Sequence, residues 1–196
     1  MKEIIFCSAN EKKKVEIQQK VGSTYNIVNL NDLGHTDEIP ETAETFSGNA
    51  LIKATFGYET YGKPCFSDDS GLEVEALNNA PGVYSARYAG EPKSDERNMD
   101  KLLEALNGIE NRKACFKTVL AYIDINGKAH YFEGKIEGVI TDEKRGNQGF
   151  GYDPIFIPNG FDKTFAELSL EEKGKISHRA LAVEKFIAHL KNEISK

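Results

Sequence analysis

Cysteine is scarce in this chain of 196 residues. Cys7, Cys65 and Cys115 are three, odd in number and far apart, with no Cys-x-x-Cys pair. That pattern indicates neither a zinc knuckle nor a disulfide framework, and a reducing cytoplasm is the expected setting. No apolar run approaches the length of a membrane span, and the N-terminus lacks the apolar segment of a signal peptide. Basic residues are outnumbered, 25 Lys and Arg against 31 Asp and Glu. The resulting charge of −6 argues against a protein that coats nucleic acid, while leaving room for a local basic pocket. The phosphate-binding pattern GxxxxGK[ST] does not occur. There is no internal repeat, low-complexity tract or obvious linker, so residues 1–196 are expected to form a single domain with a real core.

The elements are legible in outline. Ile4-Ile5-Phe6 reads as a buried strand, followed by a polar helix over about Asn10 to Val21 and a strand over Tyr25 to Asn29. Ser8 and Glu11 have capping-box spacing at the start of that helix. A second helix is predicted from about Ser47 to Tyr61, stopped by Gly62 and Pro64. Cys65-Phe66-Ser67 enters a short strand that runs into a Ser-Gly turn, after which Leu72 and Val74 resume apolar alternation. Ser94-Asp95-Glu96 starts a third helix. Ala114 to Ile125 and Ala129 to Ile140 are β-rich runs joined through Asn126-Gly127, a strong hairpin signal. Ile155 to Ile157 is a brief strand, and a last helix starts near Ser177. Helices between strands plus one long hairpin predict an α/β protein with a mixed β-sheet flanked by helices.

Five stretches could carry chemistry. Lys12, Lys13 and Lys14 crowd the start of the first helix, where the dipole already supplies positive charge. They form either a solvated face or a device that captures a phosphate. Asp68 and Asp69 sit together at a strand end. Buried carboxylates there need hydrogen bonds, a partner charge or a cation. An Asx-turn is one reading. An oxygen-ligand site for Mg²⁺, with one carboxylate free to deprotonate a water, is the other. Asn49 and Lys53 share one helix face, with Glu41 and Glu44 just upstream. Gly149-Phe150-Gly151-Tyr152-Asp153-Pro154 either packs as a loop or exposes Phe150 for stacking on a nucleobase, with Asp153 accepting from a base edge. Ser177-His178-Arg179 again puts cations at a helix start, with Lys173 and Lys175 nearby.

In order along nearly the whole chain, these motifs resemble those of the inosine/xanthosine triphosphate pyrophosphatases, the Ham1-like nucleotide hydrolases. The matching residues are Ser8-x-Asn10-x-x-Lys13, Glu41, Asn49-Ala50-x-x-Lys53-Ala54 and Ser67-Asp68-Asp69-Ser70-Gly71-Leu72. Ala80-Pro81-Gly82-Val83-Tyr84-Ser85-Ala86-Arg87, the Phe150 loop and Ser177-His178-Arg179 complete the series. Ser8-Ala9-Asn10 stands where the family commonly has Thr-Gly-Asn.

The resemblance implies hydrolysis of ITP, dITP and XTP to the monophosphate and pyrophosphate, Mg²⁺ as cofactor and a homodimer. It also implies two lobes around a central nucleotide-binding cleft. Carried over by position, Ser8, Asn10, Lys13, Asn49 and Lys53 serve the triphosphate. Glu41 and Asp69 serve the metal, Asp69 is also the general base for water, and Asp68 supports the metal site. Ser70 and Gly71 lie against the nucleotide. Phe150 stacks on the base, Tyr152 supports its loop, and Asp153, Lys173, His178 and Arg179 line the base edge. The alternatives are a pyrophosphatase of different base preference, a non-catalytic nucleotide sensor and a nucleic-acid-binding module.

Overall fold

The opening apolar run forms β1 (Lys2–Phe6) and the polar stretch behind it forms α1 (Glu11–Val21) in the computed structural model, which describes residues 2–194. Ser8 and Glu11 do not form the expected capping box. Asn10 is the N-cap instead, its Oδ1 accepting from Lys13 N at 3.1 Å. Ser8 Oγ accepts from Asn10 N at 3.2 Å. Glu11 is engaged by Asn29 Nδ2 at 2.5 Å. Asn is as strong an N-cap as Ser, and here it lies directly before the first helical residue.

β2 (Tyr25–Asn29) and β3 (Cys65–Val74) both pair parallel to β1, on opposite sides of it. Between them in sequence runs α2 (Phe46–Tyr61), capped by Thr45 and closed by Gly62 in the left-handed conformation. Its buried residues are Phe46, Asn49, Ala50, Lys53, Ala54 and Gly57. A Cβ at Gly57 would lie 2.1 Å from Cys7 Sγ, so glycine is what lets this helix approach so closely.

β3 corrects the reading of a strand ending in a Ser-Gly turn. Its ten residues pass straight through Asp68, Asp69, Ser70 and Gly71 to Val74, with all but Ser70 and Glu73 buried. Acidic residues are poor strand formers. The side chains that engage these two, described below, supply the compensation that composition does not reveal.

α3 (Asp95–Ala105) starts at Ser94, as predicted. β4 (Lys113–Ile123) and β5 (Ala129–Ile140) flank the Asn-Gly turn. Gly127 there adopts φ 79°, and Asp124 Oδ1 accepts from both Asn126 N and Lys128 N. β6 (Phe156–Pro158) pairs antiparallel to β5. Strand order β2-β1-β3-β4-β5-β6 makes one mixed sheet. The chain ends with α4 (Leu170–Ile176), a helix not anticipated, and α5 (His178–Ile194). Among the described residues no helix is long and apolar enough to cross a membrane.

The chain divides into two compact units, and β3, β4 and β5 contribute to both. The first comprises residues 1–69, 118–134 and 179–196. Its core joins Ile4, Phe6, Ile27, Phe66, Tyr122 and Phe186, with Phe66 stacked 4.8 Å from Phe6. The second comprises residues 70–117 and 135–178. Its core is built on Leu72, Leu102, Phe116, Tyr152, Phe156 and Phe165.

Candidate active site

In the first unit the connections out of β1 and β2 place β2 on one side of β1 and β3 on the other. Ligands in open α/β sheets bind beyond the carboxyl ends of strands at such a reversal. The residues found there are Ser8, Asn10 and Lys13 after β1, and Asp68 and Asp69 just past the β1–β3 pairing at Phe6 and Phe66.

Successive side chains of a strand point to opposite faces, and the two aspartates do. Asp68, 1% exposed, meets Lys13 of α1 at 3.0 Å and Arg179 of α5 at 3.4 Å. Burial alone would push its carboxyl up. Lys13, Arg179 and Lys53 outweigh that and hold it well below the ordinary carboxylate range. Arg179 Nη1 also donates to Glu16 Oε2 at 2.5 Å.

Asp69 faces α2. Asn49 Nδ2 donates to its Oδ2 at 3.1 Å, while Asn49 Oδ1 accepts from Ala43 N at 2.9 Å. Lys53 Nζ lies 4.0 Å from Asp69 Oδ1 and forms an ion pair with Glu41. Burial, reinforced by Glu41, raises the pKa of Asp69 despite Lys53 and Asn49. Burial also opposes the charge on Lys53, but the surrounding carboxylates of Glu41, Asp69 and Asp68 prevail and raise its pKa. The arrangement holds one strongly ionised acid and one more basic acid on adjacent residues. Among the described residues, no three His, Cys, Asp or Glu side chains are grouped to hold a metal ion.

The second unit carries the aromatic loop. Gly149 and Gly151 adopt φ 79° and 63°, and a Cβ on Gly149 would fall 2.0 Å from Asp153 Oδ2. That oxygen accepts from Phe150 N at 2.9 Å and from Lys173 Nζ at 2.7 Å. Lys173 Nζ in turn stands 4.9 Å from the centroid of the half-buried Phe150 ring. Gly151 N donates to Asp95 Oδ2 at 2.8 Å, and the buried Tyr152 hydroxyl donates to Ser85 O at 2.8 Å. His178, also buried, stacks on Phe116. Ser70 and Gly71 belong to the β3 segment of this unit.

Lys13, Glu41, Asn49, Lys53, Asp68, Asp69 and Arg179 therefore share the first unit, together with Ser8 and Asn10. Phe150, Tyr152, Asp153, Lys173 and His178 share the second with Ser70 and Gly71. Arg179, expected at the base edge, has its guanidinium on Asp68 and Glu16. Glu16, Asp95 and Ser85 were missed. Glu16 lies three residues after Lys13, a spacing that puts both on one face of α1 and was the available signal.

A model of the Ham1 family matches residues 4–189. The chain belongs to the Ham1 family. It is 56% identical to the dITP/XTP pyrophosphatase of Porphyromonas gingivalis, over 93% of this chain and 94% of that protein. It is 46% identical to the dITP/XTP pyrophosphatase of Bacillus subtilis, over 94% and 95% respectively. The solved structure of the Staphylococcus aureus Ham1 protein has 42% identity and a TM-score of 0.90, covering 98% of this chain and 100% of that one. The mixed sheet and its helices are thus the Ham1 fold. The chain matches these Ham1 relatives over almost their whole length.

Proposed function

We propose that this protein hydrolyses non-standard purine nucleoside triphosphates, with dITP, ITP and XTP as substrates, to the monophosphate and pyrophosphate. The observation that carries the reading is the setting of Asp69: a carboxylate of raised pKa, oriented by Asn49, beside an ammonium that it shares with Glu41. Mere binding of a nucleotide does not require such an acid. A general base works best when its pKa is shifted toward the working pH.

The roles follow from charge and reach. Lys13 and Lys53 bind the triphosphate, stabilising the negative charge that develops on the departing pyrophosphate. Asp69 takes a proton from the water that attacks the α-phosphorus, and Asn49 keeps the accepting oxygen in place. Attack at phosphorus depends on positioning and charge rather than on a covalent nucleophile. Asp68 does not touch the water; it holds Lys13 and Arg179 in place as a buried counter-ion. Phe150 stacks on the base, and Lys173 and His178 offer donors to its edge. Donors favour the 6-oxo group of hypoxanthine and xanthine over the 6-amino group of adenine.

Glu41 and Asp69 fit a hard divalent cation. They are oxygen donors that already converge on one cation, Lys53 Nζ. Mg²⁺ is commonly bound by one or two carboxylates together with substrate phosphates. When bound, it would neutralise phosphate charge and polarise the phosphoryl oxygens. A homodimer, supported by the family resemblance alone, and a reducing cytoplasm, supported by the cysteine pattern, complete the reading.

The test is product analysis with Mg²⁺ and a panel of ITP, XTP, dITP, ATP, GTP and dUTP. Pyrophosphate from ITP, dITP and XTP, with little from the others, is expected. Orthophosphate as product, or indifference to the base, would overturn the reading.

A further inference from the structure

The second unit contains a cluster of aromatic and cationic groups in which Phe116, Phe156 and Phe165 have no proposed role. Lys173 Nζ lies 4.9 Å from the Phe150 ring and 5.7 Å from the Phe165 ring. Phe165 is 5.9 Å from Phe116, and Phe116 is 4.8 Å from His178 with the two ring planes only 7° apart. Parallel rings at that centroid distance are offset-stacked, a favoured aromatic geometry. Phe116 is itself held from a second direction by Phe156, edge-on at 4.7 Å. Phe156 and Phe165 are fully buried.

The torsion that sets a histidine ring plane is broad and weakly preferred by the side chain itself. Packing must therefore define it, and a flat ring on one face restricts the imidazole to a narrow range of planes. A hydrogen bond to a base edge is directional. A donor that rotates out of the base plane loses much of its value for discrimination.

We infer that Phe116 is a positioning residue that fixes the plane of the His178 imidazole and so sets selectivity for the 6-oxo group of the purine. The inference rests on the proposed base-edge role of His178. Phe116 acts only through that ring.

The experiment compares kcat and KM for ITP and for purine riboside triphosphate, which has hydrogen at position 6. The variants are Phe116→Leu, Phe116→Met, Phe116→Tyr, His178→Ala and the double variant His178→Ala/Phe116→Leu. Leu106→Ala opens a cavity in the same core without removing a ring and serves as the control for lost packing. Phe116→Met fills the space without supplying a ring plane, and keeps the test open if Phe116→Leu does not fold.

The expected result is a loss of about three- to tenfold in the ITP preference for both Leu and Met, carried by KM, with kcat held within about twofold. Phe116→Tyr retains the preference. The double variant is no less selective than His178→Ala, because both changes remove the same interaction. Leu106→Ala lowers thermal stability and leaves the preference intact. If His178→Ala loses the preference while the Phe116 variants keep it, the inference is overturned and the base-edge reading stands. If His178→Ala keeps the preference, the base-edge role of His178 falls and the inference with it.

Discussion

Asp68 and Asp69 are neighbours in β3, yet their carboxylates are held by different helices. Asp68 is held by Lys13 of α1 and Arg179 of α5, Asp69 by Asn49 and Lys53 of α2. The alternation of a strand is enough to give adjacent acids different surroundings, on which the proposed division of roles between them rests.

Asp69→Asn should lower kcat by about 10²–10⁴, the usual contribution of a general base, with nucleotide binding retained. The variant should unfold no earlier than the parent protein. A carboxyl whose folded pKa is raised costs stability once pH passes its unfolded value, and the amide removes that cost. Steady-state kinetics, calorimetric nucleotide titration and a thermal melt check the three parts together. A kcat near the parent value would remove Asp69 as the base.

Asp68→Asn should behave in the opposite way. Its folded pKa is depressed, so its stabilisation is present above the unfolded value of about 3.9 and is lost as pH falls below it. At neutral pH the substitution leaves Lys13 and Arg179 short of a buried counter-ion, which typically costs about 3–5 kcal/mol. Urea unfolding at pH 7 and at pH 3 measures this: a large difference between parent and variant at pH 7 should shrink at pH 3.

The acid limb of kcat/KM should report Asp69. Activity requires the ionised form, so it rises with pH through the ionisation of Asp69; burial and Glu41 raise that midpoint, and Mg²⁺ held by the same carboxylates would lower it. Asn49 favours the ionised form by donating to it. Asn49→Ala should therefore move the limb further up, and a limb that stays in place would mean that a different group titrates.

Phe150→Ala should raise KM with little change in melting temperature, because the ring is only half-buried and its proposed partner is the base. Stacking on a base is worth about 1–3 kcal/mol. A large loss of stability at unchanged KM would make Phe150 a core residue.

Local signals read well where one short motif fixed the backbone. The Asn126-Gly127 turn, the Ser94 cap and the Gly62 stop all stand as the residues indicated. Reading failed where a remote partner decided the outcome. The Ser-Gly pair after Asp69 looked like a turn, but side chains from α1, α2 and α5 compensate the two acids and β3 runs on. The Ser8–Glu11 spacing lost to Asn10 and to the hold of Asn29 on Glu11. α4 was overlooked although Ser169 and Glu172 form a complete capping box, because its seven residues show little apolar periodicity. The opening lysines were legible as an anomaly only. Lys13 reaches the buried Asp68, while Lys14 pairs with Asp32 at the surface.

Hydrolysis of ITP in ¹⁸O-labelled water shows which phosphorus the water attacks. Mass spectrometry of the two products locates the label. Attack at the α-phosphorus leaves one ¹⁸O in the monophosphate and none in pyrophosphate, which is the expected result. Label in the pyrophosphate would place the attack on the β-phosphorus and contradict it.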